Sequence, residues 1–117
     1  MVEPGLKLFV DESSNRGRQY PTDVGTIDLL FVRPNGDMVV IELKRFRGSD
    51  EVVGQISRYI GWIKHHVAYD KNVYGVIITH QYDSKLKYAV EGNEKLTLKY
   101  YRIHIEFVDE AQVKSQQ

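Results

Sequence analysis

Cysteine is absent from this sequence of 117 residues, and neither charge is in excess, because sixteen lysine and arginine residues balance sixteen aspartate and glutamate residues. Disulfides and thiolate metal sites are therefore excluded, and a cytoplasmic location is expected. No apolar run approaches the ~18 residues of a membrane span, and no signal peptide precedes the first predicted strand. A nucleic-acid-binding function would require charges that are segregated in space, since dedicated binders often carry a basic excess.

The residues that are present predict one α/β domain over residues 1–117, built on a mixed sheet. A hydrophobic content of 42% is enough for a core. Apolar stretches predict strands at about 6–10, 26–32, 38–44, 73–79 and 96–108, with a bulge or break at Tyr100–Tyr101. Residues 11–25 are predicted as a loop or irregular edge, and 110–117 as a frayed tail. A helix between two strands implies a right-handed parallel crossover.

Two helices are predicted from apolar residues at helical spacing. The first covers about residues 50–68, with Ser49 or Asp50 as its cap. The second follows a cap at Asp83 and ends at the sequence EGN, and its inner face carries Leu86, Ala89 and Val90. Strands that are apolar on both faces are expected in the centre of the sheet.

The turn between the second and third predicted strands sets the register of a hairpin. Pro34 suits the second position of a type I turn, Asn35 tolerates the third, and Gly36 can adopt a left-handed conformation. This three-residue loop with a bulge places Asp28 opposite Glu42. A two-residue Asn35–Gly36 loop would place the carboxylates on opposite faces. We favour the first loop because Pro34 fits it well.

In the favoured register, Asp28, Glu42 and Lys44 converge on one face at the end of the hairpin far from the turn. Two neighbouring carboxylates repel each other, and a divalent cation such as Mg²⁺ or Mn²⁺ relieves that cost. An adjacent ammonium can steady the charge that develops on a phosphate. This combination suits metal-assisted phosphodiester hydrolysis. The alternative is a surface ion pair between Glu42 and Lys44, with Asp28 as a turn residue.

These residues resemble the PD-(D/E)XK nuclease superfamily, whose pattern is an Asp on one hairpin strand and Glu-x-Lys on the next. Gln55 and Tyr59, in GQISRYIGWIK, resemble its Q-x-x-x-Y element, and Ile27 replaces the usual proline. The segments EPGLKL, GRQYPTDVGTIDLL, VVIELKR and VGQISRYIGWIK are most similar to the C-terminal nuclease domain of NucS/EndoMS-type endonucleases.

The resemblance implies a restriction-endonuclease-like three-layer fold, with a central mixed sheet flanked by helices. It implies that Asp28, Glu42 and the Leu43 carbonyl bind the metal and that Lys44 is the catalytic lysine. Gln55 and Tyr59 would support the site or contact the DNA backbone. The superfamily's opening helix, which can add an acidic residue, has no counterpart before the first strand. Glu3 is a weak candidate for that acid.

A basic rim is expected beside this site. Arg45, Arg47 and Arg58 are its main candidates for phosphate contacts, and Arg18 and Gln19 are candidates to line the same cleft.

The resulting hypothesis is an Mg²⁺- or Mn²⁺-dependent DNA endonuclease of DNA repair or defence. Its partner would be DNA, it would act as a homodimer, and this domain would be the C-terminal part of a longer protein. The alternative is a non-catalytic nucleic-acid-binding or assembly module that retains the nuclease fold.

Overall fold

A computed structural model describes residues 3–45 and 47–114 of the chain. Six strands form one sheet. The elements in chain order are β1 (Lys7–Leu8), β2 (Arg18–Thr22), β3 (Gly25–Val32), β4 (Met38–Leu43), α1 (Ser49–His66), β5 (Val73–Thr79), α2 (Ser84–Glu91), β6 (Leu96–Tyr100) and α3 (Glu110–Lys114). None of the described helices is both long and apolar enough to span a membrane.

The sheet is mixed, which confirms the predicted fold class. Its order is β1-β3-β4-β5-β6, and β2 also pairs with β3. β1, β2 and β4 run antiparallel to β3, whereas β4, β5 and β6 are mutually parallel. β4 lies in the centre, and its residues from Met38 to Glu42 are all buried. β4 is apolar on both faces from Met38 to Ile41, and this pattern correctly predicted its central position.

The main core lies between the sheet and one helical layer. From the helices it takes Val52, Ile56, Tyr59, Ile63, Leu86 and Val90, and from the sheet Leu30, Met38, Val40, Ile77 and Leu96. A smaller apolar cluster on the opposite face contains Val39, Ile41 and Val76, with Leu29, Phe31 and Ile78 packed against them. β4 contributes alternate residues to the two clusters, as the two-residue period of a strand requires.

The β3–β4 hairpin has the register that its turn predicts. The Arg33 amide donates to the Asp37 carbonyl (2.8 Å), and the Gly36 amide donates to the Arg33 carbonyl (2.9 Å). Gly36 has a φ of 92°, a left-handed conformation that favours glycine. The paired residues run from Val32–Met38 to Leu29–Ile41. The next step of this register brings Asp28 to Glu42.

The prediction of an irregular segment at residues 11–25 missed a strand. β2 pairs with β3 between Arg18–Leu29 and Thr22–Gly25. Only Tyr20 of β2 is buried, so the strand has no apolar alternation that would reveal it. It also contains Pro21, and Gln19 has a φ of 53°, both unusual in a central strand and tolerated at a sheet edge.

The predicted first strand, residues 6–10, is longer than the strand that forms. β1 contains only Lys7 and Leu8, and Leu8 and Val10 are exposed. Phe9 instead packs against the main core, and its ring lies edge-on to Tyr20 at a centroid distance of 5.7 Å. Gly17 holds the backbone at Phe9 in this orientation. Its amide donates to the Phe9 carbonyl (2.6 Å), and its carbonyl accepts from the Leu30 amide (2.6 Å). This distant contact is not visible in the local pattern.

The helices match their predictions more closely. The buried residues of α1 are Val52, Ile56, Tyr59 and Ile63, but its N-cap is Gly48, which provides no side-chain hydrogen bond; neither Ser49 nor Asp50 is the cap. Asp83 caps α2 as predicted, because its carboxylate accepts from the amides of Lys85 (3.0 Å) and Leu86 (3.3 Å).

The last predicted strand ends early. β6 stops at Tyr100, at the expected break, and residues 101–109 have no regular secondary structure and are exposed. Strand pairing of residues 101–108 was therefore wrong for the single chain, since alternation alone supplies no neighbouring strand. The predicted frayed tail forms the short helix α3 over Glu110–Lys114, and residues 115–117 lie outside the described part.

Gly17 supplies a test of this packing. A β-carbon at position 17 would lie 2.0 Å from the Leu30 carbonyl oxygen, so Gly17→Ala forces backbone movement in β3. We expect a loss of about 2–3 kcal/mol in the free energy of unfolding, measured by urea denaturation. Gly61→Ala in α1 is the control, since no atom lies within 4 Å of its added carbon; it should raise stability by up to about 1 kcal/mol. Equal effects of the two substitutions would contradict this packing.

Candidate active site

Two buried carboxylates, those of Asp28 and Glu42, lie at the end of the β3–β4 strand pairing. Asp28 is 7% exposed and Glu42 is 1% exposed. Each accepts a hydrogen bond from the opposite strand: the Asp28 amide donates to Glu42 Oε1 (3.1 Å), and the Leu43 amide donates to Asp28 Oδ2 (2.9 Å). The two carboxylates thus accept hydrogen bonds from backbone amides that would otherwise pair with carbonyls of the opposite strand. The structure places the two residues together, as the predicted register requires.

Burial has a large effect on the protonation of Glu42. Loss of solvent raises the pKa of this carboxyl to about 7, and the neighbouring Asp28 carboxylate also acts to raise it. The Asp28 amide and the Arg47 guanidinium oppose the increase by stabilising the charged form. A buried acid next to a second carboxylate therefore retains its proton until near neutral pH, unless a cation compensates for the charge.

Two arginines lie at these carboxylates. Arg47 Nη2 donates to the Leu43 carbonyl (2.6 Å) and lies 3.4 Å from Glu42 Oε2. Arg45 Nη2 lies 3.6 Å from Asp28 Oδ1, although the Arg45 side chain is 58% exposed. Solvent screens the second pair, so it contributes little to stability. Both arginines were predicted as phosphate ligands, and neither was predicted to contact the carboxylates.

Lys44 follows the site at the end of β4. Its amide donates to the Ile78 carbonyl (2.8 Å), which fixes the backbone at the carboxyl end of β5. The residue is half-buried, and its ammonium forms no hydrogen bond or ion pair with any described residue. The alternative of a simple Glu42–Lys44 ion pair does not match this arrangement, because the charged partner of Glu42 is Arg47.

Gln55 and Tyr59 reach the start of β3 from α1. The Tyr59 hydroxyl donates to the Thr26 carbonyl (3.0 Å), and the Gln55 amide donates to the Val24 carbonyl (3.3 Å). Gly25, between these carbonyls, is so close that a β-carbon would lie 2.6 Å from the Tyr59 hydroxyl. Burial raises the pKa of Tyr59, Gln55 opposes the increase, and the charges of Glu42 and Asp28 add to it. The tyrosine therefore lies within electrostatic range of both carboxylates.

The remaining candidates are less closely connected to the carboxylates. Arg58 donates to Gln55 (3.0 Å), so it joins the helical side of the site. Arg18 and Gln19 lie on β2 beside the relevant part of β3, but no hydrogen bond or ion pair joins them to Asp28 or Glu42 within the described chain.

Glu3 does not provide a third acid. It pairs with Arg33 (2.7 Å) beside the β3–β4 turn, at the opposite end of the hairpin. In the described residues, no group of three His, Cys, Asp or Glu side chains could hold a metal. A metal at this site would therefore take ligands from the two carboxylates together with carbonyl oxygen and water.

Two parts of the site are not predictable from a local sequence pattern. The contact between α1 and the carbonyls of Val24 and Thr26 depends on β2, which alternation did not reveal. Gly25, with a φ of 130°, was the available signal, because it permits the close approach of Gln55 and Tyr59. The pairing of Arg47 with Leu43 has no sequence pattern of its own.

A mixed sheet with an acid on one hairpin strand and Glu-x-Lys on the next is the arrangement of the restriction-endonuclease-like class. The chain belongs to the family of endonuclease NucS C-terminal domains, whose model matches residues 6–112.

Curated relatives and solved structures agree with this membership. The chain is similar to endonuclease NucS of Pyrococcus abyssi, with 31% identity over 67% of this chain and 28% of the relative. It is also similar to endonuclease NucS of Corynebacterium glutamicum strain R, with 33% identity over 71% of this chain and 36% of the relative. The chain therefore spans about a third of these relatives.

Two solved structures extend the likeness to the fold. The structure of an EndoMS–dsDNA complex has 26% identity and a TM-score of 0.61, over 85% of this chain and 36% of the other. A repair endonuclease from Pyrococcus abyssi has 25% identity and a TM-score of 0.61, over 85% of this chain and 38% of the other.

The raised pKa of Glu42 predicts how stability depends on pH. Folded Glu42 keeps its proton up to pH about 7, whereas the ordinary value is 4.5. The folded state therefore binds more protons between these values, and the free energy of unfolding should fall as pH rises from 5 to above 7. The contribution of this group is up to about 3 kcal/mol.

Urea denaturation of wild type and Glu42→Gln at pH 5 and pH 8 checks this. The difference between the two proteins isolates the contribution of Glu42 from that of every other titratable group. Glu42→Gln should lose the decline that belongs to Glu42, and the exposed control Glu91→Gln should keep it. A wild-type decline that survives in Glu42→Gln would assign it to another group.

Proposed function

We propose that this chain is the catalytic domain of a DNA endonuclease that requires Mg²⁺ or Mn²⁺. The observation that carries the proposal is the pair of buried carboxylates, Asp28 and Glu42, held by reciprocal backbone hydrogen bonds beside the Leu43 carbonyl. A binding module has no need for two buried acids that repel each other, so the non-catalytic alternative leaves this cost unexplained.

The residues fit a hard divalent cation. Such ions prefer carboxylate and carbonyl oxygen, and these are the groups that converge here. A cationic group already lies among them, because Arg47 Nη2 contacts both the Leu43 carbonyl and Glu42 Oε2. Asp28, Glu42 and Leu43 would hold the metal. When bound, it would lower the pKa of a water molecule and neutralise phosphate charge.

The other residues have roles that follow from their surroundings. The Lys44 ammonium, which no described residue engages, would position the attacking water and donate a hydrogen bond to a phosphate oxygen as negative charge develops. Hydrolysis joins a water oxygen to phosphorus and breaks a bond from phosphorus to a deoxyribose oxygen. The water loses a proton, and the departing oxygen gains one.

Gln55 and Tyr59 would act as positioning residues. They fix the backbone of residues 24–26, two residues before Asp28, by hydrogen bonds to its carbonyls. Arg45, Arg47 and Arg58 would contact phosphates on this side of the domain, with Arg18 and Gln19 at its edge. A similar fold in an EndoMS–dsDNA complex supports DNA as the partner. This partner is consistent with the cytoplasmic location expected from the sequence.

Metal binding supplies the decisive test. Mn²⁺ at a hundredfold excess over its Kd should raise the free energy of unfolding of the wild type by about 2.7 kcal/mol at pH 8. Glu42→Gln should lose this increase and lose DNA cleavage, while its metal-free stability stays equal or rises because the repulsion is removed. Lys44→Met should keep the metal effect and lose cleavage.

Thermal melting with Mn²⁺ or EDTA, together with cleavage of DNA substrates of varied structure, measures both properties. Glu91→Gln serves as the exposed control and should behave as wild type. Metal stabilisation without cleavage of any substrate would favour the non-catalytic binding module. Neither metal stabilisation nor cleavage would refute the proposed function.

We also propose that the chain forms a homodimer through residues 101–109, the C-terminal arm. The arm exposes Ile103 (70%), Ile105 (73%) and Phe107 (97%), which alternate with polar residues as in a half-buried strand. β6, from which the arm continues, pairs only with β5 among the described residues and leaves its other edge open. Residues 101–109 contain no glycine, proline or asparagine that would turn the chain back onto β6, so we infer that the arm pairs with a second copy.

Light scattering over a range of protein concentrations tests the dimer. Phe107→Ser should weaken dimerisation about tenfold or more, because burying one large apolar side chain contributes about 1.5–3 kcal/mol. Tyr69→Ser removes an aromatic side chain that is 77% exposed after α1 and is the matched control. A wild type that remains monomeric at all concentrations would refute this interface.

A further inference from the structure

Arg47 occupies part of the site that the proposed function gives to the metal. Its Nη2 atom lies 2.6 Å from the Leu43 carbonyl oxygen and 3.4 Å from Glu42 Oε2. The Glu42 side chain is 2% exposed and that of Arg47 is 25% exposed, so this contact is screened less than a surface pair. By comparison, the Arg45–Asp28 contact is longer, at 3.6 Å, and more exposed.

A guanidinium and a divalent cation cannot share these oxygens favourably. Both need the negative side of the Leu43 carbonyl and of Glu42 Oε2. A hard cation binds oxygen at about 2.0–2.6 Å, which would bring two positive groups into close contact. Like charges at that separation in a partly buried site repel strongly. Metal binding therefore requires that Arg47 leave.

The chain around Arg47 allows such a movement. The segment between β4 and α1 has no regular secondary structure at residues 44, 45, 47 and 48. Gly48 follows directly, and no atom lies within 4 Å of the position that its β-carbon would take. Arg47 is not fixed by another carboxylate in the described residues. The guanidinium can thus turn outward without disturbing the core.

We propose that Arg47 is an exchangeable internal cation: it compensates Glu42 in the metal-free protein, is displaced when a divalent metal binds, and then becomes a phosphate ligand for DNA. This inference rests on the proposed function. It makes metal and DNA binding cooperative, because each ligand favours the state in which Arg47 has left the carboxylates. By linkage, the two ligands must strengthen each other by the same factor.

Isothermal titration with Mn²⁺ in the absence of DNA tests the first half. At pH 8.5, Arg47→Gln should bind Mn²⁺ at least about fivefold more tightly than wild type, since no cation must be displaced. Arg47→Lys, which keeps the charge on a side chain without the planar fork, should fall between the two. Arg33→Gln removes an ion pair at the far end of the hairpin and should match wild type.

DNA binding tests the second half, on a Lys44→Met background to prevent cleavage. Fluorescence anisotropy with a labelled duplex should show that saturating Mn²⁺ strengthens binding when Arg47 is present. That gain should be smaller in Arg47→Gln, because only the direct contact between the metal and a phosphate remains. A full gain in Arg47→Gln would refute the role of Arg47 as a phosphate ligand.

The outcomes separate this inference from the proposed function. Equal or weaker Mn²⁺ binding by Arg47→Gln, with normal binding by wild type, overturns the exchange and leaves the metal site intact. If Arg47→Gln binds Mn²⁺ and wild type does not, the exchange is supported in its strongest form. If neither wild type nor any variant binds Mn²⁺, both the metal site and the exchange are refuted.

Discussion

The site depends on the exchange of hydrogen bonds between Asp28 and Glu42 across the end of the β3–β4 ladder. The carboxylates accept from the amides of Asp28 and Leu43, so the last rung of the hairpin is closed by side chains in place of carbonyls. A buried acid without such partners would be costly, and here the backbone provides them. The same bonds fix where both carboxylates lie, and this geometry is the basis of any metal chemistry at the site.

The remaining structure surrounds this hairpin end. α1 closes it from one side, with Tyr59 and Gln55 bonded to carbonyls of residues 24–26. Burial raises the pKa of Glu42 to about 7, and Arg47 opposes that increase. The protonation of Glu42 and the position of Arg47 are therefore coupled, because both respond to the same negative charge. Under the proposed function a metal would be a third way to compensate that charge.

Sequence reasoning was most accurate where local chemistry or a buried run determines structure. β5 was predicted at residues 73–79 and forms over Val73–Thr79, since its residues are apolar throughout. Pro34-Asn35-Gly36 determined the hairpin register, and Asp83 the start of α2. Sequence reasoning failed at the sheet edges. β2 buries only Tyr20. Phe9, which follows β1, turns inward where Gly17, eight residues later, hydrogen-bonds with Phe9 and Leu30. Such contacts between distant residues leave no periodic signal.

The sequence by itself therefore determined the fold class, the hairpin and the meeting of Asp28 with Glu42, because a turn and a two-residue period act over short distances along the chain. The tertiary structure alone decided which cations approach these acids. Lys44 was predicted at the carboxylates, yet Arg45 and Arg47 form the contacts, and Glu3 pairs with Arg33 at the opposite end. Long charged side chains have many rotamers of similar energy, so the three-dimensional placement of their partners selects among them.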